Sequence, residues 1–506
     1  MKSADDIRSS SLDISDAEMR QLATSVSELV NEYFANVPTF PVFPETSGGA
    51  ASRELGTELP IEPQSIDKLL QDCRTILEHS RHNGHPRFFG YVASPATAPG
   101  VFADLIASAV NINVTSWRSG PAATEVERTV IRWLGSLIGY ADNSQGLLTS
   151  GGSMANLTAL LIAHRTKCQT DVAGKGVANT SAPMTIYASD QIHMSIPKAA
   201  DILGLGRDHV RILPSDANFR LDPRLLRERI LADQQNGYKP FCVVASSGTV
   251  NTGAVDPLND VADVAKEFDL WFHVDGAYGA LGALDQTKRA LFEGLARADS
   301  VSLDPHKWLY VPLDSGCLLF REDAAARAAF SFDEADYIKV HERDEQESFA
   351  FWNYGPELSR RFRALKIWVT LRYYGTRRIA AAISEDMSLA AYMAECVEHA
   401  EDFELLAPVE LSICCFRYVP PSGSRADSDL DELNSRIMNS IQRGGRAYVS
   451  NATLNGKFAL RACITNFRTT RADIKATLEI IREAGEQVAI KSEISDLKSQ
   501  IQENAL

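Results

Sequence analysis

Residues 241–279 read FCVVASSGTVNTGAVDPLNDVADVAKEFDLWFHVDGAYG, and this stretch carries the strongest evidence about the architecture. It begins with the apolar run FCVVA (241–245) and ends with a second run, WFHV (271–274), and short apolar runs of this kind are typical of buried strands. Between them, apolar residues recur at the spacing of one helical face: Leu258, Val261, Val264, Ala265 and Phe268. A strand, a helix and another strand in this order predict a βαβ unit, and therefore a parallel sheet with helices on its faces.

The same alternation continues on both sides of this stretch. Further strand-like runs are TIYA (185–188), VRIL (210–213) and CLLF (317–320). We therefore predict an α/β fold with a mostly parallel central sheet in a large domain over residues 100–375. The chain before it, 1–99, is predicted to be helical and extended, with an amphipathic helix over 12–35. The runs CCFRYVP and FALRACI indicate a smaller α/β domain over 376–485, and residues 486–506 form either a docked helix or a disordered tail.

The composition excludes several classes of function. The 506 residues include 51 Lys and Arg against 66 Asp and Glu, a net charge of −15, so neither a nucleic acid nor an anionic membrane is an expected partner. No apolar run is long enough for a transmembrane helix, and the acidic N-terminus does not resemble a signal peptide. The eight cysteines are scattered without a C-x-x-C pair, which predicts reduced thiols in a cytoplasmic protein and no metal site.

Four polar motifs follow predicted strands, where parallel sheets bind their ligands. Lys307 lies among apolar neighbours in VSLDPHKWLY (301–310), and desolvation there would make its amine nucleophilic. Asp275 directly follows the run at 271–274, the sequence SGGS (150–153) precedes a helical pattern, and His193 follows TIYA. Each motif alone has an ordinary structural explanation, such as a surface lysine, a helix cap, a loop or a core histidine.

Together, the four motifs match the needs of one cofactor. An amine can bond an aldehyde, a carboxylate can hold a ring nitrogen, free N–H groups at a helix start can bind a phosphate, and a flat imidazole can stack on a ring. These are the requirements of pyridoxal 5′-phosphate (PLP).

The sequence also resembles the PLP-dependent amino-acid decarboxylases of the aromatic-L-amino-acid decarboxylase type, over about residues 12–485. The motifs that carry the resemblance are HPRFFGYVASP (85–95), SWRSGPAATEVER (116–128), LTSGGSMANLTALL (148–161), ASDQIHMS (188–195), HVDGAYG (273–279), DPHKW (304–308) and SRRFRALKIW (359–368). The resemblance implies an aspartate-aminotransferase-like fold (PLP fold type I) and a homodimer with a shared active site. It also implies decarboxylation of an L-amino acid to an amine and CO₂.

The resemblance assigns roles to individual residues. It implies that Lys307 forms the covalent bond to PLP and that Asp275 pairs with the protonated ring nitrogen. The other cofactor contacts that it implies are Ala277 beneath the ring, His193 on the opposite face, and Gly152, Ser153 and His306 at the phosphate. Tyr337, in DEADYIKV, is implied to donate a proton to the substrate from a mobile loop, in keeping with the charged, turn-prone composition of 321–355.

The substrate pocket implied by the resemblance includes Phe89, Tyr91, Ser94 and Trp117. These aromatic side chains favour a flat substrate, with tyrosine or dihydroxyphenylalanine ahead of tryptophan. Arg87 lies nearby in sequence, so a non-aromatic substrate such as glutamate or diaminobutyrate stays open, as do aldehyde synthase and aminotransferase chemistry. A non-catalytic binding protein of this fold is a further alternative.

Three residues depart from the pattern of the family. Val250 stands where relatives usually have threonine, which removes a hydroxyl from the pocket. Gly276 replaces a more usual alanine. Asp304 stands near the expected phosphate, where a carboxylate is unfavourable unless it points away or pairs with a cation.

Overall fold

The computed structural model of the protein describes residues 12–140, 144–331, 347–421 and 426–503, and for 489–503 it describes the backbone alone. The helices of the described ranges are α1 (Asp16–Asn36), α2 (Gly48–Leu55), α3 (Ile66–Glu78), α4 (Ala98–Val110), α5 (Pro121–Leu137), α6 (Gly152–Lys167), α7 (Val172–Lys175), α8 (Ser195–Ile202), α9 (Pro223–Gln235), α10 (Leu258–Glu267), α11 (Pro305–Trp308), α12 (Asp323–Phe330), α13 (Ala364–Glu398), α14 (Asp427–Gly444) and α15 (Arg471–Glu503). In these ranges no helix is both long and apolar enough to cross a lipid bilayer.

The larger sheet has seven strands in the order β2-β8-β7-β6-β5-β3-β4. The strands are β2 (Gln145–Thr149), β3 (Met184–Ser189), β4 (Val210–Leu213), β5 (Lys239–Ser246), β6 (Trp271–Asp275), β7 (Ser300–Leu303) and β8 (Gly316–Phe320). All neighbouring strands are parallel except that β8 is antiparallel to both β2 and β7. The mostly parallel sheet and the unit β5–α10–β6 are therefore confirmed.

The sheet is buried on both faces. Its strands consist almost entirely of buried side chains, and α5, α6, α9 and α10 pack on it. Burial on both faces explains why these strands read as continuous apolar runs in the sequence rather than as alternating patterns.

The smaller sheet has the order β1-β11-β12-β10-β9. Its strands are β1 (Phe88–Phe89), β9 (Phe403–Leu405), β10 (Ile413–Tyr418), β11 (Tyr448–Leu454) and β12 (Lys457–Cys463). Strand β1 pairs in parallel with β11, so the N-terminal part of the chain adds an edge to this sheet. The predicted domain boundary at 375–376 falls inside α13, at Gly375, whose φ of +70° interrupts the helix. The division into domains stays a prediction.

A buried ion pair covers the free edge of β2. Arg360 and Glu127 are 2% and 0% exposed. A carboxylate oxygen of Glu127 accepts from the Leu148 N–H at 3.0 Å, and Arg360 donates to the Leu148 carbonyl at 2.9 Å. Arg360 also donates to Glu127. The pair therefore satisfies the backbone groups that a neighbouring strand would otherwise bond.

Arg360→Met is expected to lower the free energy of unfolding by about 3–5 kcal/mol, because it leaves the Glu127 charge buried without its cation. Urea unfolding followed by circular dichroism measures the change. Arg361→Met is the matched control, since Arg361 is half-exposed and its contact with Asp104 is 3.5 Å long. Equal, small losses in the two variants would contradict the structural role of the pair.

Candidate active site

A cavity of about 600 Å³ opens at the carboxyl ends of β5, β6 and β7. Four predicted motifs meet there: Asp275 at the end of β6, Lys307 in α11, His193 between β3 and α8, and residues 150–153 at the start of α6. Among the other residues that line it are Tyr91, Asn156, Val250, Asp304, His306 and Arg461. Parallel strands end at one edge of a sheet, which explains why residues far apart in sequence converge.

Asp275 is buried and accepts three hydrogen bonds. Its Oδ2 accepts from the Asn156 amide at 2.8 Å, and its Oδ1 accepts from the Ser302 hydroxyl at 3.1 Å and the Ala277 N–H at 3.2 Å. Burial by itself would raise the pKa of Asp275, but the nearby His193 and Lys307 and the Ala277 N–H hold it below its ordinary value. Asp275 is therefore ionised and suited to hold a cationic ring nitrogen.

Lys307 projects into the same cavity, with its Nζ 3.0 Å from Oδ2 of Asp304. Oδ2 of Asp304 is also 3.7 Å from Nε2 of His306. Asp304 therefore has the cationic partner that the sequence required for a carboxylate at this position. The backbone at Lys307 is also held in place, because the Ser94 hydroxyl donates to the Lys307 carbonyl.

The start of α6 fits closely against the floor of the cavity. A Cβ atom on Gly152 would lie 2.8 Å from the Cβ of Ala277 and 3.0 Å from Oδ2 of Asp304. Only glycine therefore permits this approach. The first N–H groups of a helix have no partner within it, so the close packing leaves donors and a positive helix end at the cavity, as a phosphate requires.

His193 is mostly buried at the cavity wall. Its Nδ1 lies 2.8 Å from the Ser195 hydroxyl and accepts from the Ser195 N–H at 3.2 Å. Burial lowers the pKa of His193, although Asp275 opposes the shift. The imidazole is thus neutral near pH 7, and a neutral flat ring is suited to stacking.

The predicted substrate residues occupy different positions. Tyr91 lines the cavity and is half-exposed, with its hydroxyl 3.0 Å from that of Tyr448. Ser94 lies beside the cavity, under Lys307. Phe89 is instead fully buried in the core of the smaller sheet, because its strand pairs with β11, and its side chain does not reach the cavity. Trp117 does not line it either. Its backbone N–H donates to the Phe349 carbonyl at 2.9 Å. Tyr337 lies outside the described residues.

Sequence reasoning missed two residues of the site. Asn156 lies one turn into α6 and is 1% exposed, and Arg461 lies within β12 and is 3% exposed. Arg461 donates to the Tyr91 carbonyl at 2.8 Å and to the Val250 carbonyl at 3.0 Å, while its Nη2 is buried without a hydrogen-bond partner among the described residues. A buried arginine nitrogen without a partner at a cavity wall is suited to bind an anion.

Besides Asp304, the structure accounts for a second family departure, Gly276. A Cβ on Gly276 would lie 2.6 Å from the Cβ of Ala280 and 2.9 Å from the Ser302 carbonyl oxygen. This backbone therefore leaves no space for alanine. Val250 lines the cavity with an apolar side chain.

Asp386 on α13 supports the Lys307 segment from behind the cavity. Its Oδ2 accepts from the Trp308 indole at 2.9 Å and from the Tyr310 hydroxyl at 2.7 Å. The Trp308 ring stacks on Tyr278 with centroids 5.0 Å apart. Burial raises the pKa of Asp386 to about 7, against the lowering effect of these two donors.

Asp386→Asn is expected to flatten the dependence of stability on pH. The folded-state pKa lies above the unfolded value, so the wild type loses stability as pH rises from about 4 through about 7. Relative to the wild type, the variant should therefore gain about 2–4 kcal/mol between pH 4 and pH 8. Urea midpoints of the two proteins across this range measure the effect. Parallel profiles would show that Asp386 does not titrate as described.

Comparison with known proteins gives the family. The model of the "pyridoxal-dependent decarboxylase conserved domain" matches residues 49–419. The chain belongs to the pyridoxal-dependent decarboxylase family. The resemblance seen in the motifs, the PLP cofactor and the PLP fold type I are thereby confirmed.

This decarboxylase is similar to relatives over nearly its whole length. It is 35% identical to an aromatic-L-amino-acid decarboxylase of Bacillus atrophaeus over 95% of this chain and 98% of the relative. The structure of Oryza sativa TDC with PLP and tryptamine matches with a TM-score of 0.88 and 28% identity, covering 94% of this chain and 99% of the other. The Rhodiola rosea 4-hydroxyphenylacetaldehyde synthase structure matches with a TM-score of 0.84 and 27% identity, over 94% and 99% of the two chains.

The residues of the decarboxylase site fit PLP. Lys307 would hold its aldehyde, Asp275 its ring nitrogen, and the Gly152–Ser153 backbone its phosphate. When bound, PLP supplies an electron sink for the bond that breaks at the substrate Cα. The protein keeps Asp275 ionised, holds Lys307 in the cavity and presents a neutral His193 at its wall.

Proposed function

We propose that this chain decarboxylates an aromatic L-amino acid to its amine and CO₂, with tyrosine or dihydroxyphenylalanine preferred over tryptophan. The observation that carries the proposal is the meeting of Lys307 and ionised Asp275 in one cavity. The Bacillus atrophaeus relative is named an aromatic-L-amino-acid decarboxylase, and the rice structure holds tryptamine, an aromatic amine. Both support an aromatic substrate here.

The charges at the cavity support a substrate with an uncharged side chain. Among the described residues, the lysine and arginine side chains that line it are Lys307 and Arg461. Lys307 is committed to the cofactor, and Arg461 is suited to the carboxylate that every amino acid has. Arg87, which kept an acidic substrate open, does not line the cavity. A side-chain carboxylate would thus enter without a cation of its own, which is unfavourable.

We further propose that Tyr337 donates the proton that replaces CO₂ on the substrate Cα. Tyr337→Phe is then expected to cut amine output by about tenfold or more. With O₂ as oxidant, the variant should release the aldehyde, ammonia and peroxide in place of the amine. Chromatography of the products and a peroxide assay measure this shift. The matched control is Tyr373→Phe, on an exposed tyrosine of α13, and unchanged amine output from Tyr337→Phe would refute the role.

We propose a cytoplasmic homodimer as the working form. Helix α4 supports the dimer because it exposes a row of large apolar side chains, which soluble proteins usually cover: Phe102, Leu105, Ile106 and Val110. The eight cysteines are all free, which supports a reducing compartment. Sedimentation of the loaded enzyme tests the dimer, which predicts twice the mass of the chain, whereas a monomer with full activity would refute it.

A panel of L-amino acids offered to the loaded enzyme tests the substrate. The amine and CO₂ should form in equal amounts, and kcat/KM should be highest for tyrosine or dihydroxyphenylalanine. Faster turnover of glutamate or diaminobutyrate would overturn the aromatic assignment. Aldehyde as the main product of the wild type would overturn decarboxylation to the amine in favour of aldehyde synthase chemistry.

A further inference from the structure

Asn156 connects Asp275 to two histidines, His193 at the cavity wall and His273 behind it. Its Nδ2 lies 2.8 Å from Oδ2 of Asp275 and 2.9 Å from Oγ of Ser195, and its Oδ1 lies 3.0 Å from Nε2 of His273. Asn156 and His273 are buried, at 1% and 0% exposure. All the hydrogen-bonding atoms of this amide side chain are therefore engaged inside the protein.

The charge of Asp275 fixes the direction of these bonds. An ionised carboxylate only accepts hydrogen bonds, so the nitrogen of Asn156 must face it. The oxygen of Asn156 then faces His273 and accepts from it. His273 must therefore carry its proton on Nε2.

The far end of the chain of bonds is compatible with the same tautomer. The Trp271 indole can only donate, and its Nε1 lies 2.9 Å from Oγ of Ser300. The Ser300 hydroxyl is then free to donate to Nδ1 of His273, 2.9 Å away. A bare Nδ1 and a protonated Nε2 satisfy both ends, and burial lowers the pKa of His273 to about 4, which keeps the ring neutral.

The second hydrogen of the Asn156 amide also sets the donor and acceptor roles of the hydrogen bonds that lead to His193. It occupies an acceptor position on Oγ of Ser195, whose own hydrogen can then point to Nδ1 of His193 at 2.8 Å. The Ser195 N–H donates to the same nitrogen. Nδ1 of His193 is thus an acceptor, and the hydrogen that this ring can donate lies on Nε2.

We propose that Asn156 is a positioning residue that, through one directed set of hydrogen bonds, keeps Asp275 an unprotonated acceptor and commits His193 and His273 to the Nε2–H tautomer. The benefit to the PLP site rests on the proposed function. The tautomers themselves do not rest on the proposed function, because every hydrogen bond that sets them lies within the chain. Residues that hydrogen-bond to metal ligands support those ligands in a similar indirect way, and their loss lowers metal affinity or activity.

Nitrogen NMR of the full-length chain labelled at histidine, before and after loading with PLP, tests the tautomers directly. His193→Gln and His273→Gln assign the two signals. The proposal predicts a bare Nδ1 and a protonated Nε2 at both rings at about pH 8. An Nδ1–H tautomer or a charged ring at either histidine in the wild type would overturn it. This measurement needs no reaction, so it separates failure of this proposal from failure of the proposed function.

Two variants of Asn156 test separately its hydrogen bond to Asp275 and its hydrogen bond to His273. Asn156→Asp keeps an oxygen toward His273 but places a second carboxylate against Asp275, where both cannot ionise. We expect it to weaken PLP affinity by about tenfold or more and to leave His273 protonated on Nε2. Asn156→Leu removes the acceptor for His273, and we expect the His273 signal to shift to the Nδ1–H tautomer.

The matched control is Asn434→Asp, at an equally buried asparagine of α14 that is bonded to the Tyr418 backbone. Folded Asn434→Asp should bind PLP as the wild type does. Equal loss of PLP affinity in the folded fractions of both aspartate variants, or an unchanged His273 tautomer in Asn156→Leu, would overturn the proposal. If Asn156 variants do not fold, the wild-type tautomers still decide it.

Discussion

Replacing Lys307 with alanine is expected to lower kcat/KM for the best aromatic substrate by at least about 10⁴-fold. The side chain is the amine that would bond the cofactor aldehyde, and its Nζ lies 3.0 Å from Oδ2 of Asp304 at the cavity floor. Alanine removes the nucleophile and leaves the rest of the cavity in place. Amine release under saturating PLP measures the loss, and added methylamine should restore part of the rate.

Lys266→Ala is the matched control, because Lys266 lies on the exposed face of α10. It should retain wild-type kcat/KM. If Lys307→Ala kept more than about a tenth of the wild-type rate, another amine would have to do this chemistry, and the assignment of Lys307 would be wrong.

The second large effect is expected for Asp275→Asn, which should lower kcat by about 10²- to 10³-fold. Asp275 contributes a negative charge at the position expected for the ring nitrogen, and Asn156, Ser302 and Ala277 hold that carboxylate in place. An amide has no charge, so it does not stabilise a protonated ring. The loss should fall mainly on kcat, because the phosphate and amine contacts of the cofactor are unchanged.

Asp299→Asn provides the comparison for a carboxylate at the opposite end of the same sheet. Asp299 accepts from the Phe272 N–H at 2.7 Å, a bond that an amide oxygen can also accept. This variant should retain kcat. An Asp275→Asn enzyme with kcat within about threefold of the wild type would show that charge at this position is not needed.

The larger sheet could be predicted because its signals are local. The apolar runs and the helical stripe of 241–279 predict the unit β5–α10–β6, and the structure confirms its two strands and its helix. The antiparallel direction of β8 could not be predicted, since an apolar run such as CLLF is the same whichever way the strand runs. The pairing of β1 with β11 joins residues far apart in the chain, and two phenylalanines give no sign of a partner.

The site residues also divide into those with a local sequence signal and those without one. The convergence of Asp275, Lys307 and His193 on one cavity could be predicted because each follows a strand, where topology delivers side chains to a ligand. Asn156 resembles any polar residue of a helix, and Arg461 resembles the outward position of a half-buried strand. A usable signal did exist, because Asn156 follows the SGGS sequence by one helical turn and Arg461 interrupts the apolar run FALRACI. Phe89 was misplaced because an aromatic residue suits a core as well as a pocket.

Borohydride reduction of the loaded wild-type enzyme, followed by digestion and mass spectrometry, tests most directly whether Lys307 bonds the cofactor. Reduction makes the bond between an amine and the cofactor aldehyde permanent, so the peptide that carries the phosphopyridoxyl group identifies the amine. We predict this group on Lys307 and on no other lysine. A group on a different lysine, or a loaded enzyme that yields no modified peptide, would contradict it.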